Sequence, residues 1–155
     1  MNGEMVESYL RDLIADLTDG VRPEPDGDGD LPVTYKGSQC YARIARVGDD
    51  LVVQTFSVVS QVEYSHELAD ALNDINHILI FTRAFHTGGQ ILLENDLFAG
   101  DLDRYTFSRA LFFLASATGD IGPKLVEKFG GTPRFDPEAA QAPDPPADDT
   151  PGLYL

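Results

Sequence analysis

Three histidines and one cysteine carry the softest ligand atoms in this chain, and their spacing fits no metal motif. His66, His77 and His86 stand in no ligand spacing with one another or with Cys40. They read as solvated or half-buried imidazoles. No nucleophile elbow, P-loop or dinucleotide glycine fingerprint occurs in its required strand-to-helix setting. Gly88-Gly89 falls between two strand patterns, so it marks a hairpin rather than a phosphate cradle. The best metal candidate is Asp26-Gly27-Asp28-Gly29-Asp30, whose alternating carboxylates could converge on a calcium ion. An EF-hand loop needs Gly after its third acid and a bidentate Glu six residues further on. Leu31 and Gly37 stand there instead. A plain acidic loop is expected, with no catalytic residue, no metal and no cofactor.

The remaining candidates are groups that could hold a partner. Asn73 and Asn76 lie three apart on one helix face. They can bond backbone near the helix end, or present amides to an extended peptide. Tyr41, Arg43, Phe56, Arg83 and Phe85 sit at strand positions that could share one sheet face. If no helix covers that face, it forms an apolar, partly basic shelf suited to peptide binding. The two Phe residues are equally at home in a core, and each Arg stem can simply cover aromatic area. Gly152-Leu153-Tyr154-Leu155 reads either as a frayed end or as a strand-addition peptide.

The elements that position these groups follow from periodicity. Residues 4–18 read as an amphipathic helix stopped by Gly20 and Pro23. Residues 19–30 form a flexible acidic loop. Strand patterns follow at 31–35, 40–45 and 51–58, joined by turns at Lys36-Gly37-Ser38 and Gly48-Asp49-Asp50. Ser65 caps a second helix whose buried face is Leu68, Ala71, Leu72, Ile75 and Leu79. Ile78 to Phe85 suits a strand, and Gln90 to Glu94 its hairpin partner. Asp101 or Asp103 caps a last helix, with a kink or break expected at Gly119 and Gly122-Pro123. Gly130-Gly131 ends it. The order is α-β-β-β-α-β-β-α. It specifies an α+β fold with helices on a five-stranded antiparallel sheet.

Charge is uneven. The net charge is -15. Residues 1–30 hold nine acids and two bases, and residues 131–155 hold five acids and one base. The middle is nearly balanced, and no basic face is available for nucleic-acid phosphates. No apolar run approaches the roughly 20 residues of a membrane-spanning helix, and Met1 to Met5 shows no signal-peptide pattern. A lone cysteine suits a reducing compartment, so the cytoplasm is expected. Residues 1–131 are read as one domain with its acidic loop at 19–30. Residues 132–155 are read as a Pro/Ala/Asp-rich acidic tail.

Together these marks resemble the YbjN-like family, whose fold is shared with type III secretion chaperones. The resemblance covers about residues 4–131. It rests on the element order and on four local marks: Leu68-x-x-x-Leu72-Asn73-x-x-Asn76, Phe81-x-Arg83-x-Phe85-x-x-Gly88, Gly89-x-Ile91 with Leu97 after it, and Leu125-x-x-x-Phe129-Gly130-Gly131. It implies a non-enzymatic, chaperone-like domain that binds a protein or peptide partner, with no cofactor and often as a homodimer. Two other readings stand beside it. One is a regulatory module whose tail occupies its own or a neighbour's groove. The other is a metal or small-molecule sensor using the Asp26–Asp30 loop.

Overall fold

The computed structural model describes residues 2–133. Helix α1 spans Gly3–Leu17 and is capped by Asn2, whose side chain accepts the Met5 N–H. Strands β1 (Leu31–Tyr35), β2 (Ser38–Val47) and β3 (Asp50–Gln61) follow as a meander. Helix α2 runs His66–Asn76 behind the expected Ser65 cap, where Oγ accepts from Leu68 N–H at 3.1 Å. Strands β4 (Arg83–Thr87) and β5 (Gln90–Phe98) form a hairpin. Helix α3 covers Arg104–Phe129, and β6 is a two-residue strand, Thr132–Pro133. Asp103 rather than Asp101 caps α3, in a reciprocal capping box with Thr106.

The sheet is antiparallel with strand order β1-β2-β3-β5-β4. These are the five strands read from the sequence. β6 adds a sixth by pairing with β3 at Ser60 and Gln61. All three helices send their buried side chains into one layer. Val6, Leu10 and Ile14 of α1, Leu68 and Leu72 of α2, and Phe107, Leu111 and Leu114 of α3 meet Ala42, Val53, Val59, Ala84, Ile91 and Leu93 there. Polar bolts fix α3 on the same side. Thr55 donates to Asn95 Oδ1, and Asn95 Nδ2 donates to the Ala110 carbonyl at 2.9 Å. Thr118 donates to the Leu114 carbonyl, so the Ser57 hydroxyl is left to donate to Thr118 at 2.6 Å.

Three expectations are corrected. First, α3 is not broken at Gly119 or Gly122-Pro123. Pro123 removes one donor and crowds the carbonyl of Gly119. Core residues on both sides of it, Ala117 and Leu125, keep the helix docked through that point. Second, Ile78 to Phe81 is not strand. Those residues form an exposed connection between α2 and β4, with Ile78 74% and Phe81 76% exposed. A run of apolar residues resembles a strand to any period count, but here no neighbouring strand is available to it. Third, the acidic loop is tethered to α1. Arg11 Nε donates to the Pro23 carbonyl at 2.8 Å and pairs with Glu24, and Arg22 reaches Asp12 at 2.9 Å.

Gly131 is the tightest glycine. Its φ is +88°, and a Cβ there would run into the backbone carbonyl of Gln61. Gly131→Ala is therefore expected to detach β6 and lower stability by about 1–3 kcal/mol. Gly130→Ala meets nothing within 4 Å and keeps only the strain of φ +70°. It should cost less. Chemical denaturation of the two variants side by side checks the ranking.

Candidate functional site

Two-residue turns fix which side chains meet across the sheet. The turn at Lys36-Gly37 pairs Tyr35 with Ser38, and the turn at Gly48-Asp49 pairs Val47 with Asp50. Gly88-Gly89, both with positive φ, pairs Thr87 with Gln90. Counting back from these turns pairs Tyr41 with Phe56 and Arg83 with Glu94, and the non-local pairing of β3 with β5 joins them into one row across four strands. Arg43, Gln54 and Asp96 form the next row, and Val58, Leu92 and Phe85 flank the first on its other side. Alternation places all of these on the face opposite the helix-packed layer. The five expected site residues, Tyr41, Arg43, Phe56, Arg83 and Phe85, thus share one face.

Their chemistry differs from the partly basic shelf expected. Glu94, whose side chain is only 4% exposed, lies under both arginines. It pairs with Arg83 and stands 3.6 Å from Arg43. Arg83 also reaches Asp96 at 3.0 Å. Gln54 closes the ring, accepting from Arg43 Nε at 3.2 Å and donating to Asp96 at 3.1 Å. The hydrogen bond to Glu94 raises the Arg83 pKa further, against a smaller opposing effect of burial. Two cations and two carboxylates leave the ring neutral. The aromatic part lies beside it. Tyr41 stacks on Phe56 with centroids 5.4 Å apart, and the Arg43 guanidinium lies 4.5 Å from the Phe56 ring. Phe56 is 6% exposed, whereas Tyr41 and Phe85 are half-buried.

Glu94 and Asp96 were missed as site residues by sequence reasoning. The Gly88-Gly89 turn already paired Arg83 with Glu94, an opposite-charge cross-strand pair. Burial of that carboxylate is a tertiary fact.

The outer edges of the sheet are blunted at two points. In a two-residue hairpin the flanking pair is hydrogen-bonded, and successive pairs alternate. Ala84 and His86 of β4 therefore point their backbone groups outward. Asn76 meets Ala84 there, its Oδ1 accepting the Ala84 N–H at 2.8 Å and its Nδ2 donating to the Ala84 carbonyl at 2.9 Å. The amide bonds extended backbone as a neighbouring strand does, but the backbone is its own. Asn73 is exposed. On β1 the outward positions are Pro32 and Thr34, and Pro32 has no N–H to offer.

The three histidines are scattered. His66 and His77 are exposed, and the ring of His86 bonds the Val62 carbonyl at 2.7 Å. Asp26, Asp28 and Asp30 can bring carboxylate oxygens within 4.8 Å of one another. Asp26 Oδ1 already accepts the backbone N–H groups of Asp28 and Asp30 at 2.9 Å each. Burial raises the Asp30 carboxyl above its usual range, with Arg43 pulling it the other way. No helix among the described residues is long and apolar enough to cross a membrane. The Leu153-Tyr154-Leu155 end lies outside the described residues.

A six-stranded antiparallel sheet with three helices on one face and an aromatic and ion-paired face on the other is a type III secretion chaperone-like fold. The crystal structure of the ExsC–ExsE complex contains a chain similar to it. The TM-score is 0.54 and the identity 14%, over 76% of this chain and 93% of that one. No curated protein sequence matches. Residues 4–137 match the family described as T3SS (YopN, CesT) and YbjN peptide-binding chaperone 1. The chain belongs to that family, a family of peptide-binding chaperones.

Proposed function

We propose that the protein holds an extended segment of a partner protein on the helix-free sheet face, by binding alone and without catalysis or a cofactor. The observation that carries this reading is the Tyr41–Phe56 stack bordered by Phe85 and by the Arg43–Glu94–Arg83–Asp96 ring. An apolar strip next to paired charges offers dispersion contacts to alternate peptide side chains and hydrogen bonds to the polar ones. Tyr41, Arg43, Phe56, Arg83 and Phe85 are the contact residues in this reading. Strand addition at β1 or β4 is disfavoured, because Pro32 and the Asn76 amide already blunt those edges. Residues 1–131, continued through β6, form the binding domain, and the acidic tail lies beyond it. Family membership supports the same class of ligand. The buried Cys40 thiol suits a cytoplasmic setting, and pairing of two copies is a further expectation that light scattering reads directly.

The test is an array of overlapping 15-residue peptides probed with the full chain and with a Tyr41→Ser/Phe85→Ser variant. Both side chains are half-buried, so the variant should fold. Sequence-selective binding that falls at least tenfold in the variant is the expected result. Equal binding by both proteins would place the ligand elsewhere.

A further inference from the structure

A second apolar surface crosses the outer face of α3, and at Phe81 it reaches a cavity that Arg83, Glu94 and Asp96 also line. Phe81 packs against Phe113 with centroids 5.4 Å apart, and Phe113 meets Phe112 at 5.7 Å. Ile78 and Ile80, 74% and 42% exposed, stand in the same connection just before Phe81. Two cations border it. Lys36 Nζ lies 4.8 Å from the Phe112 ring, and the Arg109 guanidinium lies 5.4 and 5.3 Å from Phe112 and Phe113. Neither cation makes an ion pair with a described residue.

A left-handed backbone marks both ends of the stripe, and at one of them it is strained. Among the described residues, Lys36 at φ +47° and Phe81 at φ +59° are the non-glycine residues in left-handed conformation. Lys36 occupies a hairpin turn, where that φ is ordinary. A phenylalanine there is an outlier costing on the order of 1 kcal/mol or more. Phe81 is 76% exposed, so its own burial offsets little of this.

We propose that this stripe is the docking site of the chain's own acidic C-terminal segment, residues 134–155. Charge complementarity selects the occupant. The chain carries a net charge of -15, yet the stripe presents two cations with no partner among the described residues. The segment offers Asp136, Glu138, Asp144, Asp148 and Asp149 for them, and Phe135, Leu153, Tyr154 and Leu155 for the rings. Reach is sufficient. Phe113 lies about 24 Å along α3 from Phe129, and an extended 22-residue segment spans up to about 70 Å. Tethering supplies millimolar effective concentration, so weak contacts suffice. This inference does not rest on the sheet-face reading, since α3 packs on the opposite side of the sheet.

Cys40 is buried and its thiol pKa is pushed up to about 12 by burial. An introduced Thr150→Cys therefore takes a nitroxide label selectively. In the isotope-labelled full chain, the label should broaden the amide signals of residues 78–81 and 109–113 at least fivefold more than those of Tyr41 and Phe85. Lys36→Glu/Arg109→Glu should abolish that difference. Phe81→Gly should weaken it while leaving Tm unchanged or higher, because glycine accepts φ +59° freely. Three outcomes overturn the proposal. The first is broadening centred on Tyr41 and Phe85, which puts the tail on the sheet face. The second is broadening seen when labelled and unlabelled copies are mixed, which makes the occupant a second copy. The third is no selective broadening at all.

Discussion

Arg83→Glu is expected to destabilise the fold by about 3 kcal/mol, the low end for breaking a buried pair. Arg83 is itself half exposed, so its loss alone would be softened by solvent. The damage comes from Glu94, whose carboxylate is 4% exposed and would face a second carboxylate in place of its guanidinium. Asp96 loses the same partner, and Arg43 at 3.6 Å is left to neutralise the site. Arg83→Lys should cost less, because an ammonium keeps the charge but not the fork that spans Glu94 and Asp96. The double replacement Arg83→Leu/Glu94→Leu should recover most of the loss, since removing both charges removes the uncompensated one. The repulsion needs ionised carboxylates, so the defect should be full at neutral pH and smaller at pH 4. Urea denaturation at pH 7 and pH 4 measures it. An Arg83→Glu protein as stable as the parent at pH 7 would show that the ring contributes nothing to the fold.

Asn76→Ala is expected to act on two properties at once. It removes the two hydrogen bonds to Ala84, worth about 1 kcal/mol each at most in this part-buried setting. A loss of about 1–2 kcal/mol and a Tm drop of roughly 3–8 °C follow. It also frees the outward N–H and carbonyl of Ala84 on an edge strand, a template for pairing with another chain. Light scattering across a concentration series should then detect association beyond that of the parent. Asn76→Asp keeps an acceptor for the Ala84 N–H but sets a carboxylate against the Ala84 carbonyl. It should lose comparable stability. An Asn76→Ala protein with the parent's Tm and the parent's mass would remove this residue's role as an edge cap.

The aromatic and charged row across the sheet was partly legible in the sequence, and the reason is geometric. Short turns convert sequence distance into register, so the Gly88-Gly89 turn already aligned Arg83 with Glu94, whereas the turn expected at Gly48-Asp49-Asp50 is one residue shorter, and that shortening is what pairs Tyr41 with Phe56. Alternation then put Tyr41, Arg43, Phe56, Arg83 and Phe85 on one face. The charge state of that face was not legible. Glu94 is buried because strands on both sides and two arginine stems close over it, and those neighbours are distant in sequence. The same limit misplaced Ile78 to Phe81. Their apolar run is compatible with a strand, and only the start of β4 at Arg83 shows that they lie outside the sheet.

The sequence by itself determined the order of the three helices and five main strands, the Ser65 cap and the Gly88-Gly89 register, because each of these is set by residues close together in the chain, and the order of those marks carried the family resemblance. The tertiary structure decided which charges neutralise which, that α3 continues through Pro123, and that Asn76 closes an edge. It also decided that one aromatic group lies on the helix-free sheet face and another across the outer face of α3. Those outcomes depend on burial and on contacts across the fold. Burial is a property of the packed chain and of no local segment.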